Sequence, residues 1–373
     1  MQERAQDGDI ETLATIFYGL AGEGRGHATR ACTIVEALRQ DHRVVLFAPE
    51  HGYEMLRDRY DGTDVEVCEI EGLCFRYDKR GRLAKLRTGW AAFRYLCRLP
   101  KLLRQLKQRI EAERPALCLT DFDPALPRAC ERMGVPYLSV DHQHFLLVSD
   151  LSELPRRQRK WADFMSFVVK RYYKRQAQSV VSSFYFPKLK EQYRDVVQTG
   201  VLLRKELLAT TPTHGEHFCV YLRRFESKPL LDALVASGIP AHVYGLGERK
   251  SQGEVEFRPI SESSFVDSLS RCAGLITTAG NQLVGEALWL EKPVLAMPEP
   301  GNEEQAINAW FVEKSGAGLS RSFDAVTVED IQTFQRGLET FRKSIDRQRL
   351  NGNDKTLETI RQALAEFAKS HAA

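Results

Sequence analysis

The stretch Thr278-Ala-Gly-Asn-Gln-Leu-Val-Gly-Glu-Ala-Leu-Trp-Leu-Glu-Lys-Pro-Val-Leu-Ala-Met-Pro298, continued by Gly301-Asn-Glu-Glu-Gln-Ala-Ile-Asn-Ala309, decides the fold class. A short apolar run, residues 274–277, leads into a glycine turn at Gly280. A helical pattern carrying Glu286 follows, then a second apolar run over residues 293–297, then a second helix start carrying Glu304, Gln305 and Asn308. Strand, turn, helix, strand, helix is the repeat of a parallel α/β sheet, and such sheets bind ligands beyond the carboxyl ends of their strands. The polar residues cluster where those ends fall: Thr278, Gly280, Asn281 and Gln282 at one turn, Glu304 and Gln305 at the next. A carboxylate such as Glu286 can accept from both vicinal hydroxyls of a ribose.

Working outward, the same alternation fills the chain. Upstream, residues 217–222, 241–244 and 255–258 read as strands, with helices over 229–237 and 261–272. A polar, turn-rich stretch from Thr199 to Gly215 reads as a linker. Before it lies a separate series of strands at 13–20, 43–48, 65–70, 116–120, 136–140, 179–185 and 196–199. The expectation is therefore two doubly wound domains, residues 1–205 and 206–350, followed by a terminal helical segment, 351–373. A chain of 373 residues suits two domains.

Composition excludes several classes. A hydrophobic content of 43% and a charged content of 28% describe an ordinary globular chain, with no apolar run long enough to span a bilayer. The polar first ten residues lack the core of a signal peptide, so a cytoplasmic location is expected. Eight scattered cysteines form no CxxC pair and read as small hydrophobes. The net charge of +3 is unevenly spread. Residues 76–114 hold thirteen Lys/Arg against three acids, and residues 155–175 hold eight against one. Two basic segments, 82–114 and 155–175, are thus candidates for an anionic membrane surface. Leu86, Trp90, Phe93 and Cys97 share one helical face before Pro100, and the alternative is that this face packs on the sheet. No nucleic-acid-binding motif accompanies the charge, and nucleic-acid binding is the weaker reading.

In the first half, Gly22-Glu-Gly-Arg-Gly-His27 joins the first strand to the first helix. It is neither a Walker loop nor a dinucleotide fingerprint. Its glycines, Gly24 and Gly26 among them, allow a tight turn that brings backbone N–H groups toward an anion, and His27 can serve as general base. Asp121 and Asp123, at a strand tip, imitate the paired carboxylates of metal-dependent transferases. The preferred reading has Asp121 orienting His27 and Asp123 on the acceptor side. Asp141, His142 and His144, at the next tip, are expected to contact acceptor, as are Glu23 and Arg25 of the glycine loop. Arg223 or Arg224, after the strand ending at Leu222, could neutralise a leaving diphosphate.

Together these motifs resemble GT-B glycosyltransferases. The chain is similar to the lipid-linked N-acetylglucosaminyltransferases of peptidoglycan synthesis (the MurG type) and to the wider UDP-sugar transferases. The likeness rests on the loop Gly22–His27 and on Gly280, Glu286, Pro293, Glu304-Gln305 and Asn308-Ala309. It implies two Rossmann-like domains facing across a cleft, with a C-terminal helix crossing back to the first. It further implies a UDP-sugar co-substrate with no metal or other cofactor, Glu286 on the ribose, and Glu304 with Gln305 on the donor sugar. The expected reaction is inverting transfer to a hydroxyl, and a lipid-linked acceptor would place the enzyme at the inner face of the membrane. Glu23, Arg25 and Gly301-Asn-Glu-Glu-Gln305 depart from the peptidoglycan enzyme's pattern. A non-hydrolysing UDP-sugar 2-epimerase shares this build and is the alternative.

Overall fold

The computed structural model describes residues 13–22, 25–73, 84–223 and 225–372. Glu23, Gly24 and Arg224 lie outside the described residues, as does the start of the basic segment 82–114.

The first unit opens with β1 (Thr15–Leu20), α1 (Arg25–Leu38), β2 (Arg43–Ala48), α2 (Glu50–Tyr60), β3 (Glu66–Glu69) and α3 (Lys85–Glu113). It continues through β4 (Leu117–Asp121), α4 (Ala125–Met133), β5 (Tyr137–Asp141), α5 (Phe145–Val148) and α6 (Arg156–Tyr172) to β6 (Gln178–Ser182) and β7 (Val197–Thr199). Its strands pair in parallel in the order β3-β2-β1-β4-β5-β6-β7. After a short α7 (Lys205–Leu208), the second unit runs β8 (Phe218–Tyr221), α8 (Lys228–Ser237), β9 (Ala241–Tyr244), β10 (Arg249–Gln252), β11 (Val255–Arg258) and α9 (Glu262–Arg271). It then runs β12 (Gly274–Thr277), α10 (Asn281–Trp289), β13 (Val294–Ala296), α11 (Glu303–Lys314), β14 (Gly318–Ser320) and α12 (Val328–Lys343). The order β10-β11-β9-β8-β12-β13-β14 is parallel except for the β10–β11 pair. β10 and β14 were not foreseen: the first is fully exposed and the second has three residues, so neither carries a burial pattern to read.

The strands are apolar on both faces because helices cover both. One cluster joins β1, β2, β4 and β5 to α1 and α2, and it includes Ile360, Ala363 and Leu364 of the last helix, α13 (Asn353–Ala372). The opposite face of that sheet packs the second half of α3, α4 and Val169 of α6. A third cluster runs through both units, from Phe145 and Val201 to Leu275 and Ile307.

The units are joined by two crossing segments. Val201 forms a bridge with Asn351, and Gly352 N–H donates to Val201 at 3.0 Å. Gly200 and Gly352 sit back to back, and a Cβ on Gly352 would lie 2.1 Å from the Gly200 carbonyl oxygen. The Asn353 side chain acts as a strand edge, accepting from Leu203 N–H and donating to its carbonyl, both at 2.8 Å.

α3 runs without a break through Pro100 over 29 residues. Pro100 lies on the exposed side of α3, where the carbonyl that loses its partner can be hydrated.

Candidate functional site

The site is built at the carboxyl ends of the central strands of both sheets. β1 ends at Leu20 beside the end of β4, and Ala21 N–H donates to the Asp121 carbonyl at 2.9 Å, which fixes the start of the glycine loop. Gly22 is required by close approach: a Cβ there would meet Pro49 at 2.6 Å. The loop delivers the chain into α1, whose first turns carry His27 and, one turn on, Arg30.

His27, Asp121 and Arg30 form one buried group. His27 Nδ1 lies 2.8 Å from Asp121 Oδ1. Arg30 grips the same carboxylate twice, Nε to Oδ2 and Nη2 to Oδ1, each at 2.8 Å. Burial alone would push the Asp121 carboxyl up, but Arg30 and then His27 outweigh it and hold it below its ordinary value. An ionised carboxylate only accepts, so the proton of the neutral imidazole sits on Nδ1 and leaves Nε2 as the basic nitrogen. The 3.2 Å approach of Arg30 Nη2 to Nδ1 is then a contact between two donors. The expected pairing of His27 with Asp121 is present in the structure. Arg30 was missed. Its signal was a charged residue on the apolar face of α1, one turn before Ile34 and adjacent to Ala31.

Across from this group stands the second unit. α10 and α11 begin at its sheet edge, and the Asn302 side chain caps α11 by accepting from Gln305 N–H at 3.2 Å. Gly26 packs 3.7 Å from Gln282, counted from the Cβ it lacks, so the N-terminal turns of α1 and α10 meet directly. Glu304 is partly buried, and burial raises its carboxyl, opposed by His27 and by a hydrogen bond from Gln143. His27 of the first unit and Glu304 of the second thus lie close enough to influence one another. Gln305 accepts from Glu299 N–H at 2.8 Å and reaches toward Thr278 Oγ1 at 3.4 Å and Glu299 Oε2 at 3.3 Å. Arg223 Nη2 lies 3.4 Å from the same Glu299 oxygen. Arg223, Thr278 and Glu299 therefore stand just beyond the ends of the adjacent strands β8, β12 and β13. Glu299 was missed in the sequence, where Pro298 and Pro300 marked it only as loop. It is 3% exposed and its Oε1 has no protein partner.

Glu286, on the face of α10, is 2% exposed. Arg204 donates to its Oε2 at 2.8 Å and Gln282 to its Oε1 at 3.0 Å, leaving lone pairs on both oxygens. Arg204 comes from the segment linking the units and gave no sequence signal.

Several expected site residues are committed elsewhere. Asp123 does not face the cleft: its carboxylate accepts from Ala125 and Leu126 N–H at 3.2 and 2.7 Å and caps α4, and burial pushes its carboxyl up to about 6. Asp141 accepts from His144 twice, at the backbone N–H and at Nδ1, and both side chains are at most 1% exposed. His142 donates Nδ1–H to the Ser182 carbonyl at 3.2 Å, and burial lowers it to about 3, so the ring is neutral. In this structure Asp123, Asp141, His142 and His144 thus hold the turns and strand ends beside them rather than standing free in the cleft. Asn281 and Asn308 are likewise engaged by protein groups. Asn281 donates to the Ser182 carbonyl at 3.1 Å, across the interface. Asn308 donates to the Ala279 carbonyl at 2.9 Å and accepts from Tyr185 at 3.0 Å. Ala279 has φ +62°, a left-handed conformation that L residues adopt only when held, and Asn308 holds it. Gln282 ties Leu202 of the linker to Glu286.

Further ion pairs join the units: Arg157 with Glu303, and Glu153 with Lys314. The basic helix α6 is thus partly an interface element. A cavity of about 580 Å³ opens between the units near Phe184, Trp310 and Arg349, and none of the candidate chemical groups lines it.

Comparison with known proteins agrees with this architecture. The sequence matches the family described as glycosyl transferase family 1 over residues 14–338. No curated protein sequence matches the chain. Among solved structures, the glycotransferase of kitacinnamycin aligns at a TM-score of 0.66 and 16% identity, over 94% of this chain and 99% of that one. A Polygonum tinctorium UDP-glucosyltransferase capable of glucosylating indoxyl aligns at 0.67 and 14%, over 94% and 98%. A Medicago truncatula enzyme solved with UDP-glucose aligns at 0.65 and 13%, over 96% and 99%. These likenesses carry the fold, and the family match extends over most of the chain. The protein is a glycosyltransferase of GT-B fold and belongs to glycosyl transferase family 1.

Proposed function

We propose that the protein moves a hexose or N-acetylhexosamine from a UDP-linked donor to a hydroxyl acceptor, with inversion and without a metal. The observation that carries this reading is the buried His27–Asp121–Arg30 group facing Glu304 and the Arg223–Glu299–Gln305 cluster of the other unit. The unit of residues 1–205 would take the acceptor and that of 206–350 the donor. His27 Nε2 removes the acceptor proton as the hydroxyl oxygen attacks the anomeric carbon. The bond from that carbon to the diphosphate oxygen breaks, and its electron pair leaves with the UDP. Asp121 stabilises the imidazolium that forms. Arg223 and the N-terminal N–H groups of α10 take up the developing phosphate charge. Glu286, steadied by Arg204, accepts from the ribose hydroxyls through its remaining lone pairs. Glu304 and Gln305 read the donor sugar.

UDP as the nucleotide is supported by neighbours of this fold solved with UDP or UDP-glucose. The acceptor is read as lipid-linked, in the manner of the MurG-type enzymes, which would bring the protein to the inner face of the membrane. No helix among the described residues is long and apolar enough to cross one. Nothing in the geometry favours 2-epimerisation, since Asp121 and Asp123 are occupied by Arg30 with His27 and by the cap of α4.

Thermal unfolding with UDP, UDP-glucose and UDP-N-acetylglucosamine tests the donor assignment. A ligand at a hundred times its Kd adds about 2.7 kcal/mol to the native state. No rise in Tm with any of the three at millimolar concentration would refute it. His27→Ala should retain that rise while losing at least about a hundredfold in transfer.

A further inference from the structure

The two halves of α3 do opposite things. After Pro100, Leu102, Leu103, Leu106 and Ile110 are buried against the first sheet, each 7% exposed or less. Before it, the buried side of the helix is held by Tyr95, while Leu86 is 92%, Trp90 63% and Phe93 56% exposed. On a helix of 3.6 residues per turn, positions 86, 90, 93, 97, 101 and 104 fall along one line, opposite Tyr95. That outward line is apolar over Leu86, Trp90, Phe93 and Cys97 and then cationic at Lys101 and Arg104. Trp90 and Phe93 stack on one another at 5.7 Å. Leu96, 62% exposed, widens the apolar part, and Arg87, Arg94 and Arg98 flank it. From Lys85 to Ile110 the helix carries no acid at all. Sequence spacing alone could not say whether this face packed inward. The structure shows that it does not.

We infer that the first three turns of α3 insert into an anionic lipid surface, with Lys101 and Arg104 seated on its phosphate headgroups. The occupant follows from the order of the residues along the outward line. A second protein surface would be served by apolar or basic groups in any order. An apolar tip followed by a cationic collar matches the change from acyl chains to headgroups across the interface of a bilayer. The tip spans about 18 Å at 1.5 Å per residue, so it can enter end-on and falls short of the roughly 30 Å needed to cross the hydrocarbon core. α3 packs on the face of the first sheet opposite α1, which carries His27, so docking and transfer engage different surfaces. The inference deepens the membrane part of the proposed function and does not depend on the identity of the donor.

The full-length protein is mixed with vesicles of phosphatidylcholine and phosphatidylglycerol in equal parts, and with phosphatidylcholine alone, and floated through a sucrose gradient. It should float with the first and at least tenfold less with the second, and raised salt should release it. Leu86→Gln/Trp90→Gln/Phe93→Gln and Lys101→Glu/Arg104→Glu should each cut flotation at least tenfold. These side chains are exposed, so the Tm and its rise with UDP should stay at wild-type values in both variants. Absence of flotation at low salt overturns the inference, as does flotation that the apolar variant leaves unchanged. Concentration-dependent dimerisation abolished by the apolar variant, in the absence of lipid, would assign the stripe to a second copy of the chain and overturn it too. Flotation by a protein whose Tm no UDP compound raises would refute the donor reading and leave the docking surface standing.

Discussion

Replacing Arg30 by Gln isolates what the guanidinium does for the buried carboxylate beneath His27. The wild-type side chain makes two 2.8 Å bonds to Asp121, which has no exposure to solvent. Removing one partner of such a pair leaves a buried charge and costs about 3–5 kcal/mol. Unfolding entropy near 2.1 cal/mol/K per residue gives about 0.8 kcal/mol per degree for 373 residues, so Tm should fall by about 4–6 °C at pH 7. The pH dependence gives a sharper test. In the wild type the Asp121 carboxyl is held below its ordinary value, so its contribution is complete above pH ~4 and is lost only as pH falls through the lowered value. In Arg30→Gln the chief lowering influence is gone, burial raises the carboxyl, and protonation relieves the variant as the solution is acidified. The gap in Tm between wild type and variant should therefore narrow from pH 7 to pH 5, followed by scanning fluorimetry in a constant-ionic-strength buffer series. A gap below about 1 °C at pH 7, or one that stays constant with pH, would refute the argument that Arg30 acts on the charge of Asp121.

Three other outcomes are expected. Glu299→Gln weakens the hold on Arg223 and should raise the Kd for a UDP-sugar about tenfold, the lower range for a charge-assisted hydrogen bond, read by calorimetry. Asn353→Ala removes both bonds to the Leu203 backbone and leaves buried groups unpaired, costing about 1–3 kcal/mol for each, so Tm should drop by several degrees. Asp123, raised by burial to about 6, favours the folded state most when protonated, so the wild type should lose stability relative to Asp123→Asn as pH rises from 4 to 6. Parallel melting curves of the two proteins that keep a fixed separation over that range would count against it.

Much of the architecture could be read from the chain because its strands are covered on both sides and so appear as uninterrupted apolar runs. The boundaries of β2, β9, β11 and β12 match the runs that announced them. The site was readable where the chemistry sits on one turn, as with His27 or Glu304-Gln305. It was unreadable where a side chain is defined by a partner far along the chain. Arg30 meets Asp121 across 91 positions and Arg204 meets Glu286 across 82. Polar residues at strand tips posed the opposite problem. Asp123 and His142 carry the same local signature as Asp121, and only the packed structure shows that one caps a helix and the other ties the end of β5 to the end of β6. The outward turn of α3 was undecidable for a similar reason, since an apolar stripe looks alike whether it meets a sheet or solvent.

The docking of Ile360, Ala363 and Leu364 into the core of the first sheet has a consequence for how the molecule is made. The strands of the first unit precede α13 by more than a hundred residues, yet the cluster beneath them is completed only by that helix. At about 5–20 residues per second, the nascent first unit waits roughly 8–35 s between the emergence of its last strand and that of α13. During that interval the second unit can fold alone, and the surface of α1 and β4 that receives α13 stays uncovered. Of the two units, the earlier in the chain is the later to close its core.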